Sequence, residues 1–186
     1  ENFRRAGLLQ RTASNAWSAV SGPAAVLAGS CSAATQRQVE NMKRGCASFE
    51  IDPIELRTGA DIVQQAIAWA RSRVGARPVL IYSTADPAAV EKVQAALGRE
   101  RAGRLIEEAM GRIARELVAL GVRRLVVAGG ETSGAVVKAL GVRGLRIGPE
   151  IDPGVPWTAS LGDKPLALAL KSGNFGADDF FLKALT

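Results

Sequence analysis

The sequence predicts an α/β domain, an open and mostly parallel β-sheet with helices on both faces. Three observations carry that expectation. Short apolar runs alternate with segments of helical spacing along most of the chain. Those runs are continuous rather than alternating, which is how strands covered on both faces read. Small, turn-forming residues follow several of the runs, where a parallel strand hands over to its helix.

The first twenty residues carry little pattern and end at the breaker Ser21-Gly22-Pro23. The chain starts Glu1-Asn2-Phe3 without Met or an apolar signal core, and reads as a piece of something longer. Ala24 to Ala28 is a short apolar run with glycine after it, a buried strand. A helix through Gln36 to Met42 follows, then a strand at Phe49-Glu50-Ile51 that stops at Asp52-Pro53. Between Gly59 and Val74, Ile62, Val63, Ala66, Ile67 and Ala70 recur at helical spacing. Pro78 to Tyr82 is the next buried strand.

A long helical stretch runs from about Ala88 to Leu120, interrupted near Gly98 and ended by Gly121. Leu125 to Ala128 is the clearest strand, followed by the turn Gly129 to Gly134 and a helix from Ala135 to Leu140. Strands at Leu145-Arg146-Ile147 and Leu166 to Leu170 complete the set, joined by a Pro-rich connection. Asp178 or Asp179 is positioned to cap a terminal helix through Phe180-Phe181. The expected architecture is a Rossmann-like three-layer sandwich.

Composition removes several functions. Among 186 residues there is no histidine and there are two cysteines, Cys31 and Cys46. Common zinc sites, Ser-His and Cys-His machinery and a disulfide framework are therefore excluded, and reduced thiols fit a cytoplasmic protein. No apolar run approaches the ~20 residues of a membrane span, so no membrane partner is expected. The net charge of +6 admits nucleic acid, a membrane surface or an anionic small molecule. The arginines, however, are scattered beside acids such as Glu100, Glu107, Glu108 and Glu116, as on solvated helix faces. Aromatic residues make up 5%, which leaves little for stacking bases, and no nucleic-acid partner is expected.

Ligands of open α/β sheets bind beyond the carboxyl ends of the strands. Three such ends carry small hydrogen-bonding residues: Gly29-Ser30-Cys31-Ser32, Gly129 to Gly134, and Lys171-Ser172-Gly173-Asn174-Phe175-Gly176. The second is the strongest, because strand, glycine turn and helix together aim free N–H groups at an anion. Thr132 or Ser133 is placed to cap that helix or to meet phosphate oxygens. Gly129 and Gly134 match the glycines of a P-loop, but Ala135 stands where its lysine belongs, so this is not a Walker A motif. Lys138 reads as a surface lysine, and Cys31 as buried packing without a base to activate it. Lys171 reads either as an anion contact or as a loop charge. Glu131 is a carboxylate inside a phosphate-type loop, which makes sense against Mg²⁺, a ribose hydroxyl or a backbone amide.

Taken in order, three segments resemble one family. They are Ala28 to Ser32 with Thr35 and Gln38-Val39, Val127 to Gly134, and Leu170 to Gly176; Ile147 to Trp157 also looks like that family's connection. The family is the four-carbon acid sugar kinases, which includes 3-oxo-tetronate and threonate kinases, and the resemblance covers residues 24–186. Members pair an N-terminal domain that holds the acid sugar with a C-terminal domain that binds ATP. The resemblance implies that 24–186 is the nucleotide-binding domain and that 1–23 is a lead-in from an N-terminal domain. It puts ATP against the loop from Ser30 to Ser32, against Gly130, Glu131, Thr132 and Ser133, and against Gly173; the reading of the glycine turn adds Gly129 and Gly134, and Mg²⁺ is expected with the nucleotide. The sugar acid and the catalytic base would belong to the N-terminal domain, and a homo-oligomer is compatible. The competing readings are a dinucleotide-binding domain of an oxidoreductase, which the absence of G-x-G-x-x-G after the first strand disfavours, and a binding-only module.

Overall fold

The computed structural model describes residues 17–57, 61–83, 95 and 98–186. Strands β1 Ala24–Ala28, β2 Ser48–Glu50, β3 Val79–Tyr82, β4 Arg124–Ala128, β5 Leu145–Asp152, β6 Val155–Ser160 and β7 Ala167–Lys171 form one sheet in the order β2-β3-β1-β4-β7-β6-β5. The helices are α1 Ala33–Lys43, α2 Pro53–Arg57, α3 Ile62–Arg71, α4 Arg99–Ala119, α5 Gly130–Ala139 and α6 Phe180–Leu185. The first five strands of that order are parallel, whereas β6 pairs antiparallel with both β7 and β5.

Strand periodicity explains the layers. Leu27, Ile81, Leu125, Val127 and Leu168 point to one face, where α3, α4 and α5 bring Ala66, Met110, Ile113, Leu117 and Val136. Their neighbours Val26, Ala28, Leu80, Val126 and Ala169 point to the other, against Val39 and Met42 of α1 and Phe180 and Phe181 of α6. All five residues of β1 are buried, as a central parallel strand requires.

Three expectations need correction. The Pro-rich connection contains a whole strand, β6, and the strand expected at 145–147 runs on to Asp152. Pro149 is tolerated because β5 is the sheet edge, and Pro156 lies outside the β6–β7 pairs, which run from Trp157 to Ala159. A short helix, α2, also occupies Pro53–Arg57, where a strand end alone was expected. The anticipated helix start near Ala88 and the stretch around Gly59 lie outside the described residues, as does most of the lead-in. Within them α4 opens at Arg99 with Gly98 as its cap and stops before Gly121, which has φ +103°.

The hairpin is tied back to the domain by Asp152. Its carboxylate accepts from Lys183 Nζ at 2.6 Å and from the Ala177 amide at 2.9 Å. Lys183 and then the amide hold the carboxyl below the usual carboxylate range. A pKa lowered on folding contributes stability above the unfolded value and loses it as pH falls through the folded one. Asp152→Asn should therefore lower the thermal midpoint at pH 7 by several degrees and flatten the acid limb of the stability curve below about pH 4. Midpoints measured by calorimetry from pH 2 to 8 test this; an unchanged acid limb would refute it.

Candidate functional site

The strand order puts β1, β4 and β7 side by side, so the three predicted loops leave adjacent carboxyl ends. The chain departs from β1 toward β2 and from β4 toward the opposite edge, which makes the β1–β4 crevice the switch point of the sheet. Gly29 N donates to Ala128 O at 3.0 Å and Gly129 N to Lys171 O at 2.9 Å, lacing the three ends together.

After β4 the chain enters α5 at once. The expected glycine turn is the first turn of the helix, which begins at Gly130 rather than Ala135. Gly129 is its cap with φ +122°, a conformation open to glycine. Neither Thr132 nor Ser133 caps the helix. Thr132 is buried, with Oγ1 beneath Gly29 and Gly129, and Ser133 Oγ donates to Val127 O at 3.4 Å. The first backbone bond of α5 runs from Ser133 N to Gly129 O at 2.8 Å. The amides of Gly130, Glu131 and Thr132 precede it and carry the positive end of the helix dipole.

The loop after β1 is shaped by serines. Ser30 Oγ accepts from Ser32 N at 3.2 Å, and Ser32 Oγ caps α1 by accepting from Thr35 N at 3.2 Å. Ser32 Oγ also donates to Gly173 O at 2.6 Å, and Thr35 Oγ1 donates to the same carbonyl at 2.9 Å. Gly173 is therefore in contact with the first loop: a Cβ there would collide with Ser30 Oγ and come within 2.8 Å of Ser32 Oγ. A Cβ on Gly29 would likewise collide with Thr132 Oγ1, and one on Gly129 would lie 2.9 Å from it. Gly130 and Gly134 differ, since a Cβ at either meets nothing within 4 Å. The first group of glycines lets the loops interlock, while Gly130 leaves its outer side bare.

The third loop is held from below. Gln38 Nε2 donates to the carbonyls of Phe175, Gly176 and Ala177, each at 3.0 Å. Lys171 is 2% exposed rather than a loop charge, and donates to Thr35 Oγ1, Ser172 O and Gly173 O. Cys31 is exposed, contrary to the expectation of buried packing, because the two serines beside it take the inward positions. Asp179 is the cap residue of α6, yet its carboxylate makes no capping bond; Asp178 pairs with Arg37 at 2.8 Å instead.

Glu131, exposed in the first turn of α5, faces Glu107 of α4. Burial first and the Glu131 charge second push the Glu107 carboxyl up from its ordinary value. Both lie along a groove of about 810 Å³ between α4 and α5, bordered also by Arg112, Arg115 and Lys138. Among the predicted residues only Glu131 and Gly134 line it, so the groove adjoins the junction of the three loops rather than containing it. Among the described residues no three His, Cys, Asp or Glu side chains gather to hold a metal, and no helix is long and apolar enough to cross a membrane.

An open α/β sheet with a bare helix N-terminus and interlocked glycine loops at its switch point defines an anion-binding domain of the nucleotide-binding class. The chain belongs to the family described as the nucleotide-binding C-terminal domain, whose model matches residues 25–181. Over 186 residues it is 57% identical to a 3-oxo-tetronate kinase of Pseudomonas fluorescens and 56% identical to one of Burkholderia multivorans. Each match takes in 100% of this chain and 43% of the relative, so the chain spans less than half the length of these curated proteins. The crystal structure of a Haemophilus influenzae protein of the DUF1537 family superposes with a TM-score of 0.86 at 35% identity, covering 97% of this chain and 43% of that one.

Proposed function

We propose that residues 24–186 are the ATP-binding domain of a kinase that transfers the γ-phosphoryl group to a hydroxyl of a four-carbon sugar acid of the 3-oxo-tetronate type. The observation that carries this reading is the meeting of Ser30, Ser32 and Gly173 beside the unpaired amides that open α5. Phosphoryl transfer asks the protein for positioning and charge neutralisation, which amides, hydroxyls and a helix dipole supply without histidine. In this reading the amides of Gly130, Glu131 and Thr132 receive phosphate oxygens, Gly129 and Gly134 let the backbone turn and approach, and Ser133 braces the helix start. Ser30 contacts the ligand from the β1 side, while Ser32 and Gly173 hold that side in place. The acceptor site and the base that takes the hydroxyl proton belong to an N-terminal domain joined through residues 1–23.

Mg²⁺ fits this donor set as a guest of the nucleotide. The ion keeps most of its waters and is held by one or two carboxylates plus substrate phosphates, not by a protein cage. Glu131, near the like charge of Glu107, is the carboxylate on the described surface suited to it. When bound, the ion neutralises phosphate charge.

The test is a thermal shift and titration calorimetry with ATP, ADP and NAD, each with and without Mg²⁺. A ligand that binds only the folded state raises its midpoint, by about 2.7 kcal/mol of added stability at 100 times Kd. ATP and ADP should shift the midpoint and NAD should not. A shift with NAD alone would overturn the kinase reading in favour of an oxidoreductase domain.

A further inference from the structure

Lys171 ends β7 as a buried cation, 2% exposed. Its amine is held by neutral groups: Thr35 Oγ1 at 3.0 Å, Gly173 O at 2.9 Å and Ser172 O at 3.1 Å. Among the described residues, no carboxylate bonds to that amine, and most charged groups on the elements around it pair with one another. On α1, Arg37 pairs with Asp178 and Lys43 with Glu40, each at 2.8 Å. On β4, Arg124 donates to the carbonyls of Ala184 and Leu185. Lys183 of α6 meets Asp152 and Asp179, and Glu131 of α5 faces Glu107. Burial therefore acts on the Lys171 amine alone and draws its pKa down to about 8.

A buried ammonium without a carboxylate is costly, and an apolar side chain of similar length would fill the same space. What the amine touches indicates its use. Thr35 belongs to the capped start of α1, and the Gly173 carbonyl is also the acceptor of Ser32 and Thr35. Lys171 thus sits under the seam between the first and third loops.

We propose that Lys171 is a positioning residue for the phosphate end of the bound nucleotide, fixing the Gly173 carbonyl and Thr35 in register while offering a positive charge whose counter-charge is the ligand itself. This rests on reading the three loops as the nucleotide site. Lys171 does not touch the ligand, since its donors are committed to protein acceptors; it acts through the seam and through its field. A bound anion favours the charged amine, so binding near pH 8 takes up a proton, and affinity falls as pH rises from 7 to 9.

Calorimetric titration of ADP at pH 8, in two buffers of different ionisation enthalpy, counts that proton. The unmodified chain should take up about half a proton per ADP. Lys171→Met should bind about 10- to 100-fold more weakly, take up none, and lose the pH dependence. Cys31 is the exposed thiol of the first loop, so the count is repeated with Cys31→Ser. Uptake that persists belongs to Lys171; uptake that vanishes belongs to the thiol and overturns the proposal. ADP binding without proton uptake, or Lys171→Met binding as tightly as the unmodified chain, also overturns it. If Lys171→Met does not fold, the proton count on the unmodified and Cys31→Ser chains decides alone. No ADP binding at any pH would instead refute the nucleotide reading from which the proposal starts.

Discussion

Valine in place of Gly130 should remove ADP binding and leave the domain folded. Gly130 is the first residue of α5, it is exposed, and a Cβ there meets nothing within 4 Å. Its φ is not positive, so a side chain costs no backbone strain, and removing a helical glycine reduces the entropy lost on folding. The protein side is therefore neutral. The ligand side is not, because under the proposed binding mode the isopropyl group would stand in the path of a phosphate to the amides of Gly130 and Glu131. Loss of two charge-assisted hydrogen bonds, at about 1.5–3 kcal/mol each, predicts a weakening of at least 100-fold. Circular dichroism and thermal unfolding should match the unmodified chain. Undiminished ADP affinity would refute the assignment of α5 as the phosphate-binding terminus. Gly29 and Gly173 would be poor places for this test, since a Cβ at either collides with the protein itself and confuses folding with binding.

The second large effect is on turnover. The 186-residue chain alone should bind ATP yet release no ADP in response to erythronate, threonate or their 3-oxo acids. Transfer needs the acceptor hydroxyl in line with the γ-phosphorus and a base within reach of its proton. The described loops bring amides and hydroxyls to one junction, and more than half the length of the Pseudomonas fluorescens and Burkholderia multivorans relatives lies outside the match. Positioning of reactants is worth roughly 7–11 kcal/mol of barrier, so without an acceptor site the rate falls to near background. A coupled assay for ADP release tests this, with the Pseudomonas fluorescens relative as positive control. Robust acceptor-dependent release by the chain alone would refute the two-domain reading.

The parts of this fold that could be read from sequence are those where one physical demand dominates. β1, β3 and β4 are buried on both faces, and unbroken apolar runs were enough to find them. The three loops were legible because glycine and serine at strand ends have few other uses. β6 was hidden by Pro153 and Pro156, which read as breakers unless the sheet edge and the end of the ladder are known. The start of α5 was misplaced because two glycines disfavour a helix locally, yet there they leave the terminus bare. Burial of Lys171 had no sequence signal at all. A lysine after an apolar strand normally reaches solvent, whereas here the amine turns back to Thr35 of α1 and to the carbonyls of Ser172 and Gly173.

The bond from Ser32 to the Gly173 carbonyl joins positions 141 residues apart. Its consequence lies in the order of assembly. The N-terminus of α5 and the β1 loop can form once β1 and β4 pair, but the seam waits for β7, which arrives only after the β5–β6 hairpin has been laid down. Closing so long a loop is slow and rewards the chain late. A partly folded domain would offer a helix terminus without its opposite wall, and so would hold nucleotide poorly. Nucleotide should then act as an inspector of the finished fold, slowing hydrogen exchange at 29–32, 129–134 and 171–176 together and giving little protection to chains halted before β7.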